Sequence, residues 1–297
     1  MLPLPPLRLI ALLWAVALLA GTFSLAFGFG PDLDGAEEGL HLAGHVVLFG
    51  TLAYLSARSG ARPSVAIAAS VGVGVAVEGM QMWGAHRWLV AEATFDTTVD
   101  ALAAMLGAAL AAPDAAARAL GNWLHPAFVL PVGLAGVVYA GDRDAAQAIG
   151  WALVGTLAFA PAGLVWIVGV RRGWFTTADL VDRRARPPLF ALGCLSAAGF
   201  VALAHENATA RVAAMALLTL AVTITMATTA GFKLSGHVAT ALTLAAVCAP
   251  WSARGPALFL ACAALLSWAR VRAGVYRPVE VAGAWVYALA LVVGMMR

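Results

Sequence analysis

Apolar residues run along this chain in long blocks, and prolines, glycines and charges break the blocks at intervals. The pattern predicts helices near 9–29, 40–57, 63–83, 97–112, 126–140, 146–170, 187–204, 209–230, 234–250, 255–269 and 279–296. A perpendicular membrane span needs about 20 residues, so the shorter blocks span only with local adjustment of helix or bilayer. The expectation is an all-α polytopic integral membrane protein, with about eleven transmembrane helices in two bundles.

The clearest break lies between 112 and 126, where Pro113, Asp114, Arg118, Gly121 and Pro126 interrupt the apolar pattern. It divides the chain into a four-helix membrane domain at 1–112, a linker at 113–125 and a second membrane domain at 126–297. The first apolar run is longer than a signal-peptide core of about 7–15 residues, so it is expected to stay as an uncleaved helix. With eleven spans, Arg8, Arg58, Arg62, Arg118 and most later arginines share the side of the N-terminus. The excess of positive charge then places the N-terminus in the cytoplasm, with a bacterial plasma membrane as the expected location.

Composition strengthens this picture. Hydrophobic residues make up 62% and charged residues 11% of the chain, against about 45–50% and 25% in ordinary soluble domains. One soluble core could not hide so much apolar surface, and the excess is expected to face lipid. Cys194, Cys248 and Cys262 lie inside apolar stretches without metal-ligand spacing, and read as small core residues. The sequon at Asn207 matters only if its loop enters a glycosylating lumen. Lys233 is the only lysine, every other cation being an arginine.

That lysine belongs to a polar set in the C-terminal half that apolar packing does not explain. Lys233, Ser235, Gly236 and His237 open the helix predicted at 234–250. Arg184 and Arg186 precede the helix at 187–204, while Arg270, Arg272, Tyr276, Arg277 and Glu280 lie between the last two helices. Two hairpins, 187–230 and 234–269, would return all these segments to one membrane face. Arg184, Arg186, Lys233, Arg270 and Arg272 would there supply cationic donors suited to a phosphoryl group. Ser235 and the first amides of the helix opened by Gly236 add further anion donors, and His237 is a protonatable group for bound oxygens. The competing reading is that the arginines are snorkelling, helix-end charges. It does not extend to Lys233, Ser235 and His237 together, because polar groups at membrane depth are costly.

On these residues the second half resembles the membrane branch of the type 2 phosphatidic acid phosphatase/haloperoxidase superfamily, over about 126–297. Arg186-Pro187 matches the end of its basic motif, and Ser235-Gly236-His237 its second motif. Arg270 matches the start of its third. The resemblance implies metal-independent phosphohydrolase chemistry on a lipid phosphate: a third-motif histidine attacks phosphorus, and the Ser-Gly-His histidine protonates the leaving oxygen. Here Tyr276 stands in the nucleophile's place, with Glu280 where the family has its acidic partner. A tyrosine hydroxyl is a poor substitute for imidazole at neutral pH, so the binding site reads as kept and the nucleophile as lost. A phosphatidate or polyprenyl-phosphate phosphohydrolase-like protein is the first expectation, and a non-catalytic lipid-phosphate binder or transporter the alternative. The expected partners are the bilayer and a phosphorylated lipid, with no nucleic acid, no cofactor and no metal.

The N-terminal half carries His41, His45, Glu78, Gln81, Arg87, Asp96 and Asp100. The pairs 41/45 and 96/100 lie four apart and the pair 78/81 three apart, so each shares a helix face. Pairing between helices, with Arg87, His45 and Asp100 available to Glu78, is preferred over zinc ligation by His41, His45 and a carboxylate. Over about 10–112 this half resembles the VanZ-like family through His45 with Phe49, Glu78 with Gln81, Arg87, and Asp100 followed by Gly107. The resemblance implies a four-helix membrane domain and no established chemistry. A third possibility is that this half is the active module.

Overall fold

The computed structural model describes residues 10–11, 14–16, 38–84, 90–175 and 186–295. Among these residues the protein is helical, with no strand. The chain separates into two compact units, Met1–Leu120 and Gly121–Arg297.

In the first unit, α1 (Glu38–Arg58), α2 (Pro63–Gly84) and α3 (Val90–Ala111) pack against one another. The predicted helix at 9–29 lies mostly outside the described residues. α3 starts well before the expected residue 97, so Asp96 and Asp100 fall in the helix interior. Asp100 is tolerated there because His45 on α1 pairs with its carboxylate at 2.6 Å. Close approach of α1 and α3 depends on small residues: a Cβ on Gly107 would collide with the carbonyl of Gly50. Small-residue contacts of this kind let membrane helices gain dispersion energy where lipid offers no hydrophobic drive. Phe49, Val77 and Ala103 form a buried cluster at the same junction, with Leu48 and Val73 against it.

The stretch set apart as a linker contains a helix, α4 (Pro113–Trp123), and the division between units falls within it at Leu120/Gly121. Proline at the first helical position gives up only an amide that would lack a partner anyway. Ala116, Ala117 and Leu120 form a buried face, while Asp114 and Arg118 are exposed.

The second unit contains α5 (Pro126–Asp142), α6 (Ala145–Arg171), α7 (Arg186–Leu203), α8 (Ala208–Thr229), α9 (Gly236–Cys248), α10 (Arg254–Arg272) and α11 (Pro278–Met295). α5–α6, α7–α8 and α9–α10 pack as neighbours, and α9 also touches α5, α8 and α11. Every residue of α9 from His237 to Cys248 is buried, as expected of a helix apolar on all sides. At 1.5 Å per residue it is only about 20 Å long, a central post rather than a lipid-facing span. Large apolar side chains at Ile149, Leu153, Leu157 and Leu164 on α6, and at Val286 and Leu289 on α11, are exposed instead.

Among the described residues, five helices are long and apolar enough to cross a membrane: 63–84, 93–111, 145–171, 187–206 and 208–229, or six spans if α4 and α5 make one broken crossing. The segments 42–58, 236–248 and 278–294 are apolar but shorter. The structure is thus all-helical with the character of an integral membrane protein. Asn207 caps α8, accepting from the Ala210 amide at 2.7 Å, and donates to Asp142 at 2.6 Å. Thr209 donates to the same carboxylate at 2.5 Å. The sequon is therefore built into a helix-end network.

Candidate functional site

The polar residues of the second unit gather where α8 and α10 end and α9 and α11 begin. Two backbone devices aim them. After α8, Gly231 adopts a left-handed conformation (φ 82°), and the Phe232 amide bonds back to the Ala227 carbonyl at 2.8 Å. After α10, Gly274 does the same (φ 71°), with the Val275 amide on the Arg270 carbonyl at 3.1 Å. Each is a Schellman turn, which reverses the chain while satisfying the last helical carbonyls. The first delivers Lys233, Ser235 and His237; the second delivers Tyr276.

Lys233 is buried, donates from Nζ to the Val275 carbonyl at 2.6 Å, and places its ammonium 4.0 Å from the centroid of the Tyr276 ring. This distance suits a cation–π contact. Arg270 is also buried; its Nη2 donates to the Gly121 carbonyl at 3.1 Å and to Nε2 of His237. A guanidinium has donors only, so His237 offers Nε2 as an acceptor in this arrangement. Edge-on against His237, with ring centroids 4.9 Å apart, lies His125. The His125 ring stacks on Trp166 at 4.9 Å, and its Nδ1 accepts from the Ala127 amide at the start of α5. Gly121 lies close to Arg270: a Cβ there would sit 3.2 Å from Nη1.

Ser235 occupies the N-cap of α9, where a serine side chain usually accepts a first-turn amide. It makes no such bond. Its Oγ is buried and has no hydrogen-bond partner among the described residues, while its amide donates to the Glu280 carbonyl at 3.3 Å. Glu280 has a structural task as well: as third residue of α11 it accepts the Arg277 amide at 2.8 Å. That is the acidic half of a capping box, and Pro278 takes the first helical position.

Of the sequence candidates, Lys233, Ser235, Gly236, His237, Arg270, Tyr276 and Glu280 lie on these converging segments. Arg272 does not accompany Arg270. Two residues further along α10, it is exposed and lines a separate cavity of about 550 Å³ with Trp268, Pro278 and Trp285. Arg184 lies outside the described residues, as does the side chain of Arg186, which opens α7. His125, Trp166 and Gly121 were missed. The only signal in sequence was a polar residue before Pro126 at a helix start, a cap pattern rather than a site pattern.

In the first unit, His45 Nδ1 and Asp100 Oδ1 are 2.6 Å apart, with both residues buried. Ligand atoms of His45, Glu78 and Asp96 all lie within 4.8 Å of one another. Glu78 is buried, and its Oε1 has no hydrogen-bond partner among the described residues. Gly74 leaves room for Asp100, since a Cβ there would strike that carboxylate. Gln81 is half-buried and makes no side-chain hydrogen bond among the described residues. Asp96 takes the place expected of it. Arg87 and the side chain of His41 lie outside the described residues.

Compared with protein-family models, with curated proteins and with solved structures, the chain matches none.

Proposed function

We propose that the C-terminal unit is a phosphohydrolase-like pocket for a phosphorylated membrane lipid, of phosphatidate or polyprenyl-phosphate type, and that it binds this lipid without turning it over. The observation that carries the reading is Ser235: a buried hydroxyl at a helix N-cap that caps nothing. The first-turn amides of α9 are thereby left for another acceptor, and a helix N-terminus favours an anion. Lys233 and Arg270 are drawn into the same buried end, and both donate to neutral acceptors that an anion can replace.

Binding without turnover follows from the positions of the other groups. Tyr276 stands where the resembled family has its attacking histidine, and its ring lies beneath the Lys233 ammonium. Glu280 is occupied in capping α11. His237 accepts from Arg270 rather than offering a proton. Arg270 would swing from His237 to a phosphoryl oxygen on binding, with Arg186 and Arg184 as further donors and Arg272 outside the pocket. The lipid's tails would stay in the bilayer. The reading is set in a plasma-membrane protein of about eleven helices in two bundles, with a cytoplasmic N-terminus and a VanZ-like first half.

The test uses detergent-purified protein with phosphatidate and with undecaprenyl diphosphate, without added metal, scoring lipid binding and phosphate release. Wild type is expected to bind but not hydrolyse, His237→Ala to bind without release, and Tyr276→His to gain release. Release by wild type that disappears in His237→Ala would replace the reading with that of an active phosphohydrolase. Equal retention of phosphatidate and phosphatidylcholine would refute the phosphate pocket itself.

A further inference from the structure

The geometry points to a divalent-cation site in the first unit, formed by His45, Glu78 and Asp96, with Asp100 as the residue that positions His45. It is independent of the phosphate pocket, since every residue in it belongs to Met1–Leu120.

Depth along the helices brings these residues together. His45 lies seven residues into α1, Glu78 six residues from the end of α2, and Asp96 six residues into α3. With 1.5 Å per residue, each is about 10 Å from the end of its helix. α1, α2 and α3 follow one another in alternating direction, so all three positions fall at one level of the bundle. The 4.8 Å limit on their ligand-atom separations is short enough for one ion to reach all three.

Two further features suit an ion. The Asp100 carboxylate holds His45 Nδ1 at 2.6 Å, and that leaves Nε2 as the ring nitrogen for a metal. A carboxylate on the far nitrogen is the usual means of fixing the tautomer and ring direction of a ligating histidine. Glu78 is the independent sign: it is more than nine-tenths buried, and among the described residues its Oε1 has no hydrogen-bond partner. A buried carboxylate oxygen without a donor is expensive, and the Asp96 carboxylate lies within the same short ligand-atom distance. A divalent ion answers that cost.

The donor set narrows the ion. Magnesium and calcium take all-oxygen shells, whereas one imidazole with two carboxylates suits a first-row transition ion such as zinc or manganese. Three protein donors leave a tetrahedral ion one open position, so the site has room for a water or a ligand atom. This departs from the sequence expectation of simple pairing between helices, and it uses Glu78 and Asp96 in place of His41.

The experiment takes the full chain in detergent, strips it with chelator and titrates it separately with zinc and manganese. Bound metal is counted by mass spectrometry, and the unfolding temperature is followed as metal concentration rises. Wild type is expected to hold one equivalent and to melt higher with added ion. Glu78→Gln, close in shape to the parent, should lose at least tenfold in affinity while its circular dichroism stays helical. Asp96→Asn should behave alike, and Asp100→Asn should weaken binding about 10–100-fold. Glu206→Gln, on an exposed turn of the second unit, should bind as wild type does. If wild type takes up no more metal than Glu78→Gln, the site is refuted and Glu78 and Asp96 share a proton instead. Lipid-phosphate binding in the second unit would be unaffected by that result, so the two readings fail separately.

Discussion

The two units bury polar clusters of opposite sign around a histidine. In the first, His45 meets Asp100, Glu78 and Asp96; in the second, His237 meets Arg270, with Lys233 on the neighbouring turn. A buried histidine therefore says little by its presence. The charge of its neighbours sets what it can do, because in a low-dielectric interior each cluster favours a ligand that cancels its own charge. The acidic cluster suits a cation and the basic one an anion. Construction differs too. The acidic side chains project from helix interiors on three packed helices, whereas the basic ones stand at helix ends shaped by Schellman turns. Interior positions are stiff, and terminal ones can rearrange when a ligand displaces an internal partner.

The sharpest way to break the comparison is Asp100→Ala. Removing one member of a buried, hydrogen-bonded pair costs about 3–5 kcal/mol, so thermal unfolding in detergent should show a large loss confined to the first unit. Gly107→Val comes next. Its added side chain meets the Gly50 carbonyl, and overpacking costs about 1–3 kcal/mol; the same unfolding measurement should show it, with phosphatidate binding unchanged. Arg270→Leu should weaken retention of phosphatidate by roughly tenfold, about 1.4 kcal/mol, in a vesicle-binding assay that leaves phosphatidylcholine binding as before. Asn207→Ala removes the cap of α8 and its link to Asp142, worth about 1 kcal/mol, visible as a modest drop in unfolding temperature. The smallest effect is expected for Glu280→Gln. Glutamine also serves at the third position of a capping box, so stability should hold within about 0.5 kcal/mol. A larger loss of lipid binding than of stability would show that Glu280 does more than cap.

Much of the second cluster was legible as sequence because its residues come in short local runs. Lys233 to His237 and Arg270 to Glu280 each sit at one helix junction, and polar residues at such a junction contrast with the apolar blocks around them. Arg272 was the exception: it is two residues from Arg270, and the helix turns by about 100° per residue, so the two cannot share a face. The first cluster was legible only as loose pairs. Glu78 had three candidate partners, Gln81 looked as qualified as Asp96, and nothing local separated them.

Sequence alone determined the helical, membrane-embedded character of this protein, since hydropathy and the need to satisfy every backbone group leave no other fold for such apolar blocks. It also determined which short segments carry charge. Tertiary structure alone decided the partners. It set Arg270 against His237 and brought in His125 from another junction, kept Arg272 outside, and laid His45, Glu78 and Asp96 at one level. The reason is physical: side-chain pairing across helices depends on packing distance and relative register, and these are fixed by contacts such as that of Gly50 with Gly107 rather than by the polar residues themselves.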